Sequence, residues 1–194
     1  MRQQTSIVTG TGRSGTTLFL QLAAQLGKTK LIGDYNPHVK GGFEPWPPLD
    51  TLERLPKLPP IIKDPRFLIT TDELIKKHDL KINHAFLLIR EFEQASLSRI
   101  DKNILFYKYS NWQDEFGETP HEKQIIFYQR AVGKFIEICS IHDIPVTIIN
   151  FPKFAKDIKY TYNKLKGTPM ECSFMKLEST FKRIVKLNLI NKFK

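Results

Sequence analysis

The stretch Ser6–Leu20, S-I-V-T-G-T-G-R-S-G-T-T-L-F-L, constrains the fold more than any other part of this 194-residue chain. It reads as a short apolar strand, a glycine-rich turn and the start of an amphipathic helix. Gly10, Gly12 and Gly15 allow the backbone to turn tightly and to come close to a ligand. The following helix aims its first free N–H groups and its positive dipole end into that turn, the geometry of a phosphate cradle. The spacing Gly10-x4-Gly15-Thr16-Thr17 matches a P-loop, except that Thr16 stands where an NTPase carries lysine. That lysine contacts the β- and γ-phosphates of ATP. Its replacement, with Arg13 inside the loop, argues against ordinary ATP hydrolysis and for a different anionic nucleotide. A glycine turn that binds nothing is the plainer reading, and the position of G-T-G-R-S-G-T-T directly after a strand weighs against it.

Strand-like and helical stretches alternate beyond the loop. Strands are expected at Thr5–Thr9, Lys30–Ile32, Pro60–Lys63, Ala85–Ile89 and Pro145–Asn150. Helices are expected at Gly15–Leu26, from Thr71 to His78, from Arg90 to Ile100, from Thr119 to His142 and from Pro152 to Lys166. Thr119-Pro120-His121-Glu122 is a strong helix start, with threonine at the N-cap, proline at the first helical position and glutamate closing a capping box. The continuous apolar run Ala85–Ile89 suits a strand covered on both faces. Alternation of this kind predicts a parallel sheet with helices on both faces, in which ligands bind at the carboxyl ends of the strands. The junctions at 10–17, 63–65 and 90–98 all fall at that edge. Residues 41–60 carry half of the chain's 12 prolines and read as an irregular loop over the mouth of the site. Residues 103–118, rich in aromatics, are a second irregular region, either an acceptor pocket or core.

The length fits one domain, 1–194. No run of 18 apolar residues occurs, so no membrane span is expected, and the N-terminus leads straight into the first strand with no secretory signal. Cys139 and Cys172 are far apart and lack metal spacing, and Cys139 reads as a small core residue. A reducing, cytoplasmic setting follows as the expectation. The net charge of +10 is uneven: residues 151–194 hold 11 basic and 3 acidic residues, residues 1–150 hold 19 and 17. The basic end, within a C-terminal segment at 167–194, could favour a polyanionic donor, an acidic acceptor or nucleic acid, or simply be a solvated face. Its apolar interleaving over 181–190 suits an amphipathic terminal helix at least as well as a nucleic-acid tail, and no nucleic-acid partner is expected.

G-T-G-R-S-G-T-T-L, then F-E-P, then K-D-P-R, then L-L-I-R-x7-S resembles the sulfotransferase family, in particular the branch that includes tyrosylprotein sulfotransferases and related bacterial enzymes. The resemblance spans roughly residues 5–100, and more loosely to about 166. It implies a P-loop-like three-layer α/β sandwich with a central parallel sheet. It also implies 3′-phosphoadenosine 5′-phosphosulfate (PAPS) as donor and its desulfated product, PAP, as the departing nucleotide. The acceptor would be a hydroxyl or amine on an unidentified glycan, peptide or small molecule. No metal is expected, because arginine and lysine supply the charge.

By the same resemblance, Gly12, Arg13, Ser14, Gly15, Thr16 and Thr17 form the 5′-phosphosulfate loop, and Arg13 takes the place of the lysine in small-molecule sulfotransferases. Arg90 and Ser98 are implied as the 3′-phosphate clamp. The chemistry is consistent, since arginine offers a planar fork and serine one more donor. Arg99 adds positive field. Lys63 resembles the lysine that reaches the bridging oxygen between phosphate and sulfate, where a preplaced cation stabilises the growing negative charge. Glu44, in G-F-E-P, sits where this branch carries its catalytic glutamate base. His38 is the rival base, because histidine titrates near neutral pH unaided. The C-terminal closure over the donor is hard to identify; Gly167–Lys176, with Ser173 as a donor contact, is one candidate. Two other readings stand beside this one. The first is a small-metabolite kinase using ATP and magnesium, with Asp64 as metal ligand. The second is a non-catalytic module that binds nucleotides or polyanions.

Overall fold

The structure is a computed structural model that describes residues 4–29, 59–101 and 117–185. The expected strand at 30–32, most of the proline-rich loop, the aromatic region at 103–116 and the last nine residues lie outside the described residues, as do Glu44 and His38. The described elements run β1 (Thr5–Gly10), α1 (Thr16–Gln25), β2 (Ile61–Lys63), α2 (Phe67–His78), β3 (Ile82–Ile89), α3 (Phe92–Ile100) and α4 (Pro120–Ile141). They continue with β4 (Val146–Asn150), α5 (Lys153–Lys156), α6 (Ile158–Leu165) and α7 (Phe174–Ile184).

The four described strands form one parallel sheet in the order β2-β1-β3-β4. Alternate side chains of each strand enter opposite faces. Ile7, Ile62, Ala85 and Leu87 pack with Phe67, Leu68 and Leu74 of α2, Ala95 of α3 and Phe127, Tyr128 and Phe135 of α4. Val8, Ile61, Phe86, Leu88 and Ile149 pack instead with Phe19 and Leu22 of α1, Phe154 of α5, Leu165 of α6 and Leu177 of α7. The result is a small α/β fold with a central parallel sheet flanked by helices. Phe19 and Phe86 meet at 5.0 Å between ring centroids, a tilted pair that contributes about 0.5–1.5 kcal/mol beyond its buried area.

Two helix boundaries depart from expectation for local reasons. The helix after β2 begins at Phe67 rather than Thr71. The Asp64 carboxylate accepts the Arg66 N–H at 2.8 Å and opens the helix early. Thr71 then lies inside it, donating its hydroxyl to the Phe67 carbonyl at 2.6 Å. The expected helix 152–166 is broken at Asp157. That residue adopts extended geometry (φ −123°, ψ 100°), and its carboxylate accepts the Tyr160 N–H as the cap of α6. The start of α4 matches its signature, with Thr119 and Glu122 forming the reciprocal capping box and Pro120 in the first turn.

The topology fixes where a ligand can enter. From β1 the chain passes through α1 on one face to reach β2, then crosses on the other face to β3. The segments leaving β1 and β3 therefore part to opposite sides of the sheet. Their carboxyl ends form the topological switch point, the place at which open α/β sheets bind ligands.

Candidate functional site

The loop after β1 is held against the end of β3. Thr11 N–H donates to the Leu88 carbonyl at 3.2 Å, and Arg90 N–H donates to Thr11 Oγ1 at 3.0 Å. The K-D-P-R segment after β2 is tied to the same place: the Thr9 hydroxyl donates to the Pro65 carbonyl at 3.2 Å, and Asp64 N–H to Val8 O at 3.1 Å. The three junctions singled out in the sequence are thus neighbours joined by hydrogen bonds.

The glycines serve packing inside the protein more directly than approach to a ligand. A Cβ on Gly10 would strike the Leu88 carbonyl oxygen, and one on Gly12 would overlap the Arg99 guanidinium. Gly15 lies at φ +79° in the left-handed region, with Phe151 Cδ2 only 2.6 Å from where a Cβ would stand. Gly15 also caps α1, which has no side-chain cap and no acidic residue in its first turn. The positive end of α1 therefore faces the loop without a protein counter-charge on its own first turn. Ser14 is 1% exposed, and its Oγ has no hydrogen-bond partner among the described residues. A buried, unsatisfied hydroxyl beside a helix N-terminus suits an incoming oxyanion. Thr16 is buried and Thr17 half-buried in the first turn of α1.

Cations converge on this loop. Lys63 ends β2 with no exposed surface. Burial is the main cause that brings its ammonium down from 10.5 to about 7, with the Arg99 charge acting the same way and Asp64 opposing. Arg90 is 5% exposed. Burial and then the Arg13 charge pull it below its ordinary range, against Glu91 and Tyr128. Arg90 Nη2 donates to Gln94 Oε1 at 3.4 Å. Arg13 is exposed, adopts φ 61°, and donates from Nε to Ser98 Oγ at 3.3 Å. Ser98 therefore meets the loop arginine in this state, while Arg90 meets Gln94. Arg99 is buried beneath Gly12, and its charge acts on the Tyr128 hydroxyl of α4, which burial otherwise pushes up.

Asp64 is engaged by its neighbour. Arg66 donates to both carboxylate oxygens, through Nε at 3.1 and 2.9 Å and through Nη2 at 2.6 Å. Ser173, considered as a donor contact, instead caps α7 by accepting the Lys176 N–H at 3.3 Å. Cys139 is buried in the core, and burial pushes its thiol up to about 11. His84 is buried against Thr147, His121 bonds Ser96 and Glu93, and His142 lies 3.9 Å from Asp72.

Sequence reasoning gave Arg99 only a supporting role and passed over Tyr128. The signal for Arg99 was present: Ala95, Ser98 and Arg99 repeat at three- and four-residue spacing, the inward face of a helix. An arginine on that face at a strand-end junction belongs to the site. Tyr128 carried no local signal, because only the docking of α4 on α3 brings it there.

The arrangement defines an α/β protein with a cation-lined loop suited to oxyanions at the switch point of its sheet. Compared with known proteins, the chain matches no family model, no curated protein and no solved structure. Among the described residues, no helix is long and apolar enough to cross a membrane.

Proposed function

We propose that the protein is a sulfotransferase that moves a sulfonate group from PAPS to a hydroxyl or amine, on a P-loop-like three-layer fold. The observation that carries this reading is the gathering of Arg13, Lys63, Arg90 and Arg99 around the 10–17 loop at the carboxyl ends of β1, β2 and β3. A donor carrying a 5′-phosphosulfate and a 3′-phosphate needs that much positive charge at one edge. The unsatisfied Ser14 hydroxyl and the uncapped end of α1 fit its 5′ group. Arg90 and Ser98, through release from Gln94 and Arg13, would hold the 3′-phosphate.

In the transfer, the acceptor oxygen or nitrogen attacks sulfur as the bond from sulfur to the bridging phosphate oxygen breaks. The electron pair stays on that oxygen, giving PAP, and the acceptor's proton passes to a base. Lys63 and Arg13 stabilise the charge that develops on the leaving phosphate. Glu44 is the proposed base and His38 its rival, both on the strength of the sequence.

A kinase using ATP and magnesium would need the Asp64 carboxylate, which the Arg66 fork holds. Thermal unfolding with PAP, and separately with ATP and magnesium, separates the readings. A ligand at 100 times its Kd adds about 2.7 kcal/mol to the folded state. A shift with PAP alone is expected. A shift only with ATP and magnesium would replace this reading with the kinase, and no shift with either would favour the non-catalytic polyanion-binding module.

A further inference from the structure

Arg99 meets three parts of the site at once. Its guanidinium lies against Gly12 so closely that a single added Cβ would overlap Nε and Nη2. Its charge acts on Lys63 at the end of β2 and on the Tyr128 hydroxyl of α4. It is 8% exposed and sits on the inward face of α3 with Ala95, Ser96 and Ser98. Two buried cations that act on each other repel more strongly than they would in water. A negative group that touches both turns that repulsion into attraction. Beside them stand two further features that favour negative charge: the positive end of α1 and the unsatisfied Ser14 hydroxyl, itself 1% exposed.

We propose that Arg99 is a ligand of the tetrahedral oxyanion held by the 10–17 loop, acting on the 5′ end of the donor rather than on its 3′-phosphate. The assignment to one end follows from the neighbours. The Arg99 guanidinium lies against the loop glycine Gly12, whereas the Arg90 side chain donates to Gln94 on α3. The planar fork gives two parallel donors to one phosphate, which a lysine cannot reproduce. The identity of the ligand as an adenine nucleotide rests on the sulfotransferase reading; the role of Arg99 toward an oxyanion does not.

Isothermal titration at low ionic strength tests this with three probes: PAP, adenosine 3′-monophosphate and inorganic pyrophosphate. Arg99→Gln is expected to bind PAP and pyrophosphate at least about tenfold more weakly than wild type, as loss of a charged hydrogen-bonding partner implies. Its affinity for adenosine 3′-monophosphate should change by less than about twofold, as for a probe that lacks the 5′ group. Arg99→Lys should fall between the two on PAP and pyrophosphate. Wild-type affinity of Arg99→Gln for PAP and pyrophosphate overturns the proposal, and so does an equal loss on all three probes. If circular dichroism shows that Arg99→Gln does not fold, Arg99→Lys decides, and wild-type affinity there overturns it. A wild-type protein that binds pyrophosphate but no adenylate removes the nucleotide-donor reading, and the pyrophosphate comparison still decides the role of Arg99. A wild-type protein that binds none of the three overturns both.

Discussion

Lys63→Met should make the protein more stable near neutral pH while it abolishes binding at the loop. Lys63 is fully buried, and burial brings its ammonium from 10.5 to about 7. Between those two values the unfolded chain binds the proton and the folded chain does not. Stability must therefore rise with pH across that window, because the unfolded state binds more protons. Below about pH 7 the folded protein carries the full cost of a buried ammonium. At about 1.36 kcal/mol per pKa unit, the whole window amounts to about 5 kcal/mol. Methionine fills a similar volume with no charge to desolvate. Urea unfolding of wild type and variant, extrapolated linearly at about pH 6.5 and about pH 9.5, measures the difference directly. Other ionisable groups are common to both proteins and cancel. The variant should be more stable by roughly 2–5 kcal/mol at the lower pH, with the gap closing at the higher. Parallel curves, or a variant less stable than wild type near neutrality, would refute the claim that Lys63 is held dry at a cost to the fold.

Three further changes probe separate parts of the structure. Arg90→Ala should weaken PAP binding by more than about tenfold by titration calorimetry, since a charged contact is lost; unchanged affinity removes Arg90 from the donor site. Glu44→Gln should lower turnover of any acceptor that the wild type sulfonates while leaving PAP affinity near wild type, and wild-type turnover would remove Glu44 as the base. Thr119→Ala breaks the capping box of α4 and should cost about 1 kcal/mol in urea unfolding with PAP affinity intact; no loss of stability would show that Ser96 and Glu93, through His121, hold that end alone.

The sequence revealed most where residues act on their own neighbours. The first loop, the apolar run of β3 and the Thr119 start of α4 each carry a local signature, and each element appears where that signature puts it. The misplaced start of α2 shows the limit. Thr71 reads as a helix start in isolation, but Asp64 accepts the Arg66 N–H just before Phe67, and the helix is already under way when it reaches Thr71. The break at Asp157 is of the same kind, since an acidic residue between two helical stretches can cap the second instead of continuing the first. Within the site, the strand-end residues Lys63 and Arg90 were legible because topology sends strand ends to one edge. Partners that depend on how helices dock were not. Ser98 meeting Arg13, Arg66 holding Asp64 and Tyr128 reaching Arg99 are products of tertiary packing.

The separation of stabilising and binding elements explains how the fold tolerates its cations. Both faces of the sheet are covered by apolar side chains from all seven described helices, and those contacts lie beside and below the strands. The carboxyl edge contributes little to that core, so it can hold Lys63, Arg90 and Arg99 in poorly solvated positions without opening it. The cost of such an edge falls on net stability rather than on topology, since register is set by the buried hydrophobic pattern and the connections, not by the charged edge. An anion that binds at that edge then relieves repulsion already present, so its binding strengthens the folded state more than the same contacts would on a neutral surface. On the proposed reading, an oxyanion at the loop would be favoured by this charge, and selection by charge should precede selection by shape.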